Sequence, residues 1–185
     1  MSEPIAAAPE NVGIQQLNLA YDINQDRLLF RVALFDNSEL QIWLTNRVAK
    51  EIWQLLSGKT HLPTASSIAP QASPSEAVAQ FQQELQAAET LEKMDFKTEY
   101  APRAQVKNDG PMLAIGATLS GDNPETPALH LTCIEAMTIN MNLNRELVLA
   151  MCNMLHLSTK ESGWEIGAPA VIPIVAVTTE QKVLH

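Results

Sequence analysis

Four side chains have the types and positions to do chemistry at a surface: Arg27, Arg31, Trp43 and Arg47. Arg27 and Arg31 lie four residues apart in an alternating apolar run, which puts both guanidinium groups on one face of a strand. Trp43 offers a flat ring to Arg27 or Arg31 across the sheet, or to a partner protein. Arg47 stands where a helical pattern begins. The N-terminal end of a helix favours anions, so an arginine there calls for a carboxylate or a ligand. These four residues are the candidate interaction surface. A sheet face carrying Arg27, Arg31 and Trp43 would also suit single-stranded nucleic acid, through phosphate contacts and base stacking.

Elsewhere the chemistry-bearing residues are scattered. His61, His130, His156 and His185 fall on a linker, a strand, a helix and the chain end, without the close spacing of metal ligands. Cys133 and Cys152 are far apart, each inside an apolar run, as reduced buried thiols are. Gly110, Gly116 and Gly121 are followed by no Lys-Ser/Thr pair, so no phosphate loop is present, and no Gly-x-Ser-x-Gly elbow occurs. The sequence therefore assigns no catalytic residue, no metal and no cofactor. An enzyme would need a site assembled from distant residues, marked by a deep pocket lined with paired titratable groups.

The bulk composition sets the frame for these residues. Of 185 residues 46% are hydrophobic and 5% aromatic, which suits one domain with a core of Leu, Ile, Val, Ala and Met. The net charge of −9 repels phosphate backbones at long range, which disfavours nucleic acid as a partner. "MSEPIAAAPENVG" lacks the basic and apolar regions of a secretory leader, and "APAVIPIVAV" is too short to span a bilayer. The expectation is a cytoplasmic protein with no membrane contact.

The elements that must position the four residues read from hydrophobic period. Leu17, Leu19, Tyr21 and Ile23 alternate, "NQD" turns the chain, and Leu28, Phe30, Val32 and Leu34 alternate again. After "DNS", Leu40, Ile42 and Leu44 form a third strand, completing an antiparallel meander. At Asn46 the period changes to that of a helix through Val48, Ile52, Leu55 and Leu56, with Thr45 or Asn46 as cap and Gly58 as its close. Pro63, Pro70 and Pro74 mark an exposed linker over 59–74. Ser73, Pro74 and Glu76 announce a long helix over 75–94, with a narrow stripe of Val78, Phe81, Leu85 and Ala88, then Leu91 or Glu92, and a Gln- and Glu-rich remainder. Such a helix lies on the body of the domain or pairs with a copy of itself.

Strands resume with Leu113, Ile115, Ala117 and Leu119, then Leu129, Leu131 and Cys133, then Met137, Ile139, Met141 and Leu143. A helix from Asn144 buries Leu147, Val148, Met151, Cys152, Met154 and Leu155, and "GWEIG" suggests a short terminal strand. The class is α+β: antiparallel meanders each followed by a helix, with one long linking helix. Asn46-Arg47 and Asn144-Arg145 occupy both strand-to-helix joints, which suggests an internal duplication. A duplication would give two sheets about an approximate two-fold, a layout analogous to the whirly or PUR-type fold. The boundaries expected are a flexible N-terminus over 1–13, a single domain over 14–166 with halves 14–58 and 111–166, and a tail over 167–185.

At these residues the chain resembles a group of uncharacterised proteobacterial proteins. The resemblance rests on Tyr21, on Asp26-Arg27-Leu28-Leu29-Phe30-Arg31 and on Trp43-Leu44-Thr45-Asn46-Arg47, with "MDFKTEY" and Trp164 also similar, over roughly residues 14–166. It implies an architecture and a bacterial setting, and no activity. The functional expectation is a non-enzymatic protein-interaction, structural or adaptor protein that acts through protein partners, self-associating as a homodimer. The alternative is single-stranded nucleic-acid binding on a sheet face.

Overall fold

Three consecutive strands build one half of a sheet: β1 (Ile14–Asp22), β2 (Arg27–Leu34) and β3 (Ser38–Leu44), paired antiparallel in order. This is a computed structural model, and it describes residues 13–60, 74–96, 98–107, 109–121 and 126–166. Both hairpins turn on Asx chemistry. Asp22 Oδ1 accepts from the Asn24 and Gln25 amides at 2.9 and 3.1 Å, and Asp36 Oδ1 accepts from Ser38 N–H at 3.0 Å. Asp26 and Asn37 take the left-handed backbone these turns need, with φ of 48° and 62°. Ile23 is not part of the strand's apolar face: it falls in the first turn and is exposed.

Helix α1 (Asn46–Thr60) follows directly. It runs through Gly58, which therefore does not end it; a glycine inside a helix costs about 1 kcal/mol but does not forbid the geometry. Helix α2 (Pro74–Lys93) begins at the proline, whose missing N–H costs nothing in a first turn. Most of the proline linker lies outside the described residues, as do residues 1–12 and the tail. After α2 an irregular strap reaches back to β3, where β4 (Gln105–Val106) pairs with it in parallel.

The second meander is β5 (Met112–Ser120), β6 (Ala128–Cys133) and β7 (Thr138–Asn142), with a 3₁₀ turn over Ile134–Ala136, followed by α3 (Arg145–Ser162). The two meanders do not form separate sheets. β5 pairs in parallel with β3 at Ile42–Met112 and Trp43–Leu113, giving one seven-stranded sheet in the order β1-β2-β3-β5-β6-β7. Because β3 and β5 run the same way, the halves stand side by side like successive tiles rather than about a two-fold axis. The matching dipeptides are also not equivalent. Asn144 is the cap of α3, accepting from Leu147 N–H at 2.8 Å, whereas on α1 the cap is Thr45, whose Oγ1 accepts from Val48 N–H at 3.4 Å. Trp164–Ile166 form no strand; Gly163, at φ 72°, ends α3 and turns the chain.

One face of the sheet carries the core. Leu28, Phe30, Val32, Ile42, Leu44, Leu129, Leu131 and Cys133 meet Val48, Ile52 and Leu56 of α1 and Val148, Met151, Cys152 and Leu155 of α3. α3 leaves β7 at one edge and ends over β1 at the other, where Ser158 Oγ donates to the Leu19 carbonyl at 3.1 Å. Its 18 residues give about 27 Å, enough to cross strands spaced about 4.8 Å apart. Cys133 and Cys152 are buried free thiols, and desolvation pushes Cys152 up to about 12. No helix among the described residues is long and apolar enough to cross a membrane.

Candidate interaction surface

The outer face of the first half starts from the register. Arg31 stands opposite Gln41, Ala33 opposite Glu39, and Leu29 opposite Trp43. Arg27, Arg31 and Trp43 thus share one face. Glu39 on that face is 1% exposed, which an unpaired carboxylate would not tolerate. The strap supplies its partners: Tyr100 Oη–H donates at 2.7 Å and the Arg103 amide at 3.1 Å to Oε2, while Gln41 Nε2–H donates at 2.6 Å to Oε1. Burial pushes the Glu39 carboxyl up, but the bonds from Gln41, Tyr100 and Arg103 and the charge of Arg31 outweigh it and hold it below its ordinary range. Tyr100 shifts upward, first from burial and then from donating to Glu39.

Tyr100 also answers the arginine question. The Arg31 guanidinium lies 5.8 Å from the centre of its ring, so the cation–π partner is Tyr100 and not Trp43. Sequence reasoning missed Glu39, Tyr100 and Arg103. The strap has no period, and the only local sign was a glutamate in a strand that proved covered on both faces. The strap is anchored further by Arg103 to Gln15 at 3.0 Å and by an ion pair of Lys107 with Asp36 at 3.0 Å. The bonds from Ser38, with Lys107 beside them, lower the Asp36 carboxyl to about 2. Its packing still leaves Asn18 Oδ1, Arg31 Nε and Arg103 Nε buried without partners among the described residues.

Arg47 leaves this face. Its Nη2–H donates to the carbonyl of Ile115 on β5, and Glu51, one turn along α1, accepts from the Ala117 amide at 3.2 Å. The two side chains are 3.8 Å apart. They clamp a β-bulge: the β5–β6 register slips between Ala114 and Gly116. The bulge turns Ile115 outward, 46% exposed, and puts Ala114 and Ala117 inside, so the simple alternation Leu113–Ile115–Ala117 does not hold. The arginine at the helix start is thus explained by a nonlocal carbonyl. Trp43 and Arg27 are half-buried, and neither has a side-chain hydrogen bond or ion pair among the described residues.

The outer face of the second half is short and polar. Thr118, His130 and Asn140 lie in one row across β5, β6 and β7. His130 Nδ1 meets Asn140 Oδ1 and its Nε2 meets Ser120 Oγ, each at 2.5 Å. In the tautomer protonated at Nδ1, Asn140 accepts from the ring and Nε2 accepts from the serine hydroxyl. The row lies on an open sheet face, away from the helices. No group of three or more His, Cys, Asp or Glu among the described residues could hold a metal ion.

Helix α2 presents a row of exposed apolar side chains. Val78, Phe81 and Leu85 are 57%, 60% and 47% exposed. The covered side is that of Ala87 and Leu91, where the helix packs on α3. At 100° per residue the two sides lie about 130° apart. The helix therefore docks on the side of Ala87, which the sequence pattern left out of the stripe, and presents Val78, Phe81 and Leu85 outward.

No protein-family model, no curated protein and no solved structure matches the chain.

Proposed function

We propose that the protein acts through protein contacts and self-associates, with helix α2 of one copy pairing against α2 of another. The observation that carries this reading is the free stripe of Val78, Phe81 and Leu85 at spacings of three and four, on a helix already seated by its opposite side. Spacings of three and four form a seam along one helix face, which pairs two helices. The stripe is flanked by exposed Gln82 and Gln86, and exposed Glu89 and Glu92 follow on the same side of the helix, which confines an apolar seam to the turns from Val78 to Leu85. Bacterial origin remains part of this reading through the resemblance at Trp43–Arg47, and a cytoplasmic setting through the sequence of its terminal segments. Nucleic-acid binding on the outer face has less support, because Arg31 is engaged by Tyr100 and the chain carries −9.

Light scattering coupled to size exclusion tests the reading. A dimer is expected for the native chain, and a monomer with unchanged circular dichroism for Phe81→Glu combined with Leu85→Glu. A native monomer across the accessible concentration range, or a dimer indifferent to the substitutions, would overturn it.

A further inference from the structure

A second feature, on the helix side of the sheet, is independent of self-association. α1 and α3 lie against each other, and near the end of α3 their side chains line an open cleft of 690 Å³. Lys50 and Gln54, one turn apart, come from α1; His156, Thr159 and Lys160 come from one ridge of α3. Gly163 then turns the chain so that Trp164, Glu165 and Ile166 form the third wall. The Trp164 ring is fixed edge-on against Tyr21, 5.8 Å between centroids at 77°.

Two properties single out this cleft. Among the described residues neither Lys50 nor Lys160 has a carboxylate within ion-pair distance, although the chain carries 21 acidic residues. Gln54 and the His156 ring likewise have no side-chain partner among the described residues. Two lysines, an amide and an imidazole thus converge beside a held aromatic ring, without partners among the described residues. The volume falls within the roughly 300–1,000 Å³ typical of small-molecule sites. Glu165 is the one carboxylate in the lining, and it is exposed at the rim.

We propose that this cleft binds a small molecule bearing a phosphate or carboxylate on an aromatic body. Lys50 and Lys160 hold the oxyanion from opposite helices, His156 and Gln54 donate hydrogen bonds, and the ring of the ligand packs on Trp164 and Ile166. Desolvation, and then the charge of Lys160, hold His156 below its ordinary range. An uncharged imidazole still offers one N–H, and an adjacent oxyanion favours its protonated form.

The test is an NMR titration of the full chain at low salt with adenosine monophosphate, with benzoate and with inorganic phosphate. The expected result is saturable binding of at least one aromatic probe, seen as shifts of the Trp164 indole and His156 ring signals. Lys50→Glu with Lys160→Glu should weaken it more than about tenfold, since losing one charge-assisted hydrogen bond already reaches that scale. Lys160 is exposed and Lys50 half-buried, and circular dichroism verifies that the variant folds. Binding of adenosine monophosphate alone would assign a phosphate ligand, and of benzoate alone a carboxylate. Inorganic phosphate should bind more weakly than either probe that binds; equal binding would overturn the role of Trp164. Absence of saturable binding by the aromatic probes, or binding unchanged in the double variant, would overturn the site.

Discussion

The two halves of the sheet put the same face to opposite uses. In the first half the outer face is covered: the strap lies over it, Glu39 is buried, and Arg31, Tyr100 and Arg103 close around that carboxylate. In the second half the equivalent face is open and carries Thr118, His130, Asn140 and Ser120 at its surface. A meander-and-helix unit thus fixes only the inner side. What lies outside depends on whether a strand carries a charge that must be enclosed. β3 carries one, and the chain after α2 is the segment that encloses it.

Removing that charge should have the largest effect. Glu39→Ala strands the Tyr100 hydroxyl, the Arg103 amide and the Gln41 side chain, and should cost about 3 kcal/mol in a denaturant titration. Glu39 also makes the covered half acid-sensitive. Its carboxyl is held below the ordinary 4.5, so its contribution is complete above that value and is lost as pH falls through the lower folded value. The acid limb of stability should therefore flatten in Glu39→Gln. A smaller effect belongs to the seam between the halves. Arg47→Ala removes the donor to Ile115 and should cost about 1 kcal/mol. Because Glu51 clamps the same bulge, a double-mutant cycle of Arg47→Ala with Glu51→Gln should be non-additive. The smallest change is expected on the open face. His130→Ala should shift stability by no more than about 0.5 kcal/mol. A loss there as large as that of Glu39→Ala would mean that the two faces are not different in kind.

What could be read from the sequence was local. Alternation placed β2 and β3, Asp22 and Asp36 marked their turns, and the change of period at Asn46 marked α1. Asn144 opened the second helix as its chemistry suggests. The misreadings share a cause: each depended on a partner far along the chain. Ile115 looks like the next inward residue until the slip beside Gly116 turns it out. Arg47 looks unpaired until a carbonyl 68 residues away is brought to it. In sequence Trp43 is offered to Arg27 or Arg31 across the sheet, whereas the strap brings Tyr100 to Arg31. On α2 the size of Val78, Phe81 and Leu85 suggested the packed face, whereas close approach of two helices favours a small residue such as Ala87. Of the four residues singled out, three share a face and one pins the seam.

The path of α3 sets the order of events when the chain folds. Among the described elements β1 is the first made and the helix that covers it the last, and the hydrogen bond from Ser158 to Leu19 joins residues 139 apart. During synthesis the first meander can pair its strands and α1 can cover part of its apolar face, but the β1 side stays open until the chain has passed Ser158. Contacts of such separation slow the search for the native state and prolong the exposure of strands to other chains. The strand edge and bare core of the first half are therefore the surfaces a chaperone would meet. Ending the chain before α3 would leave a folding intermediate rather than a smaller protein.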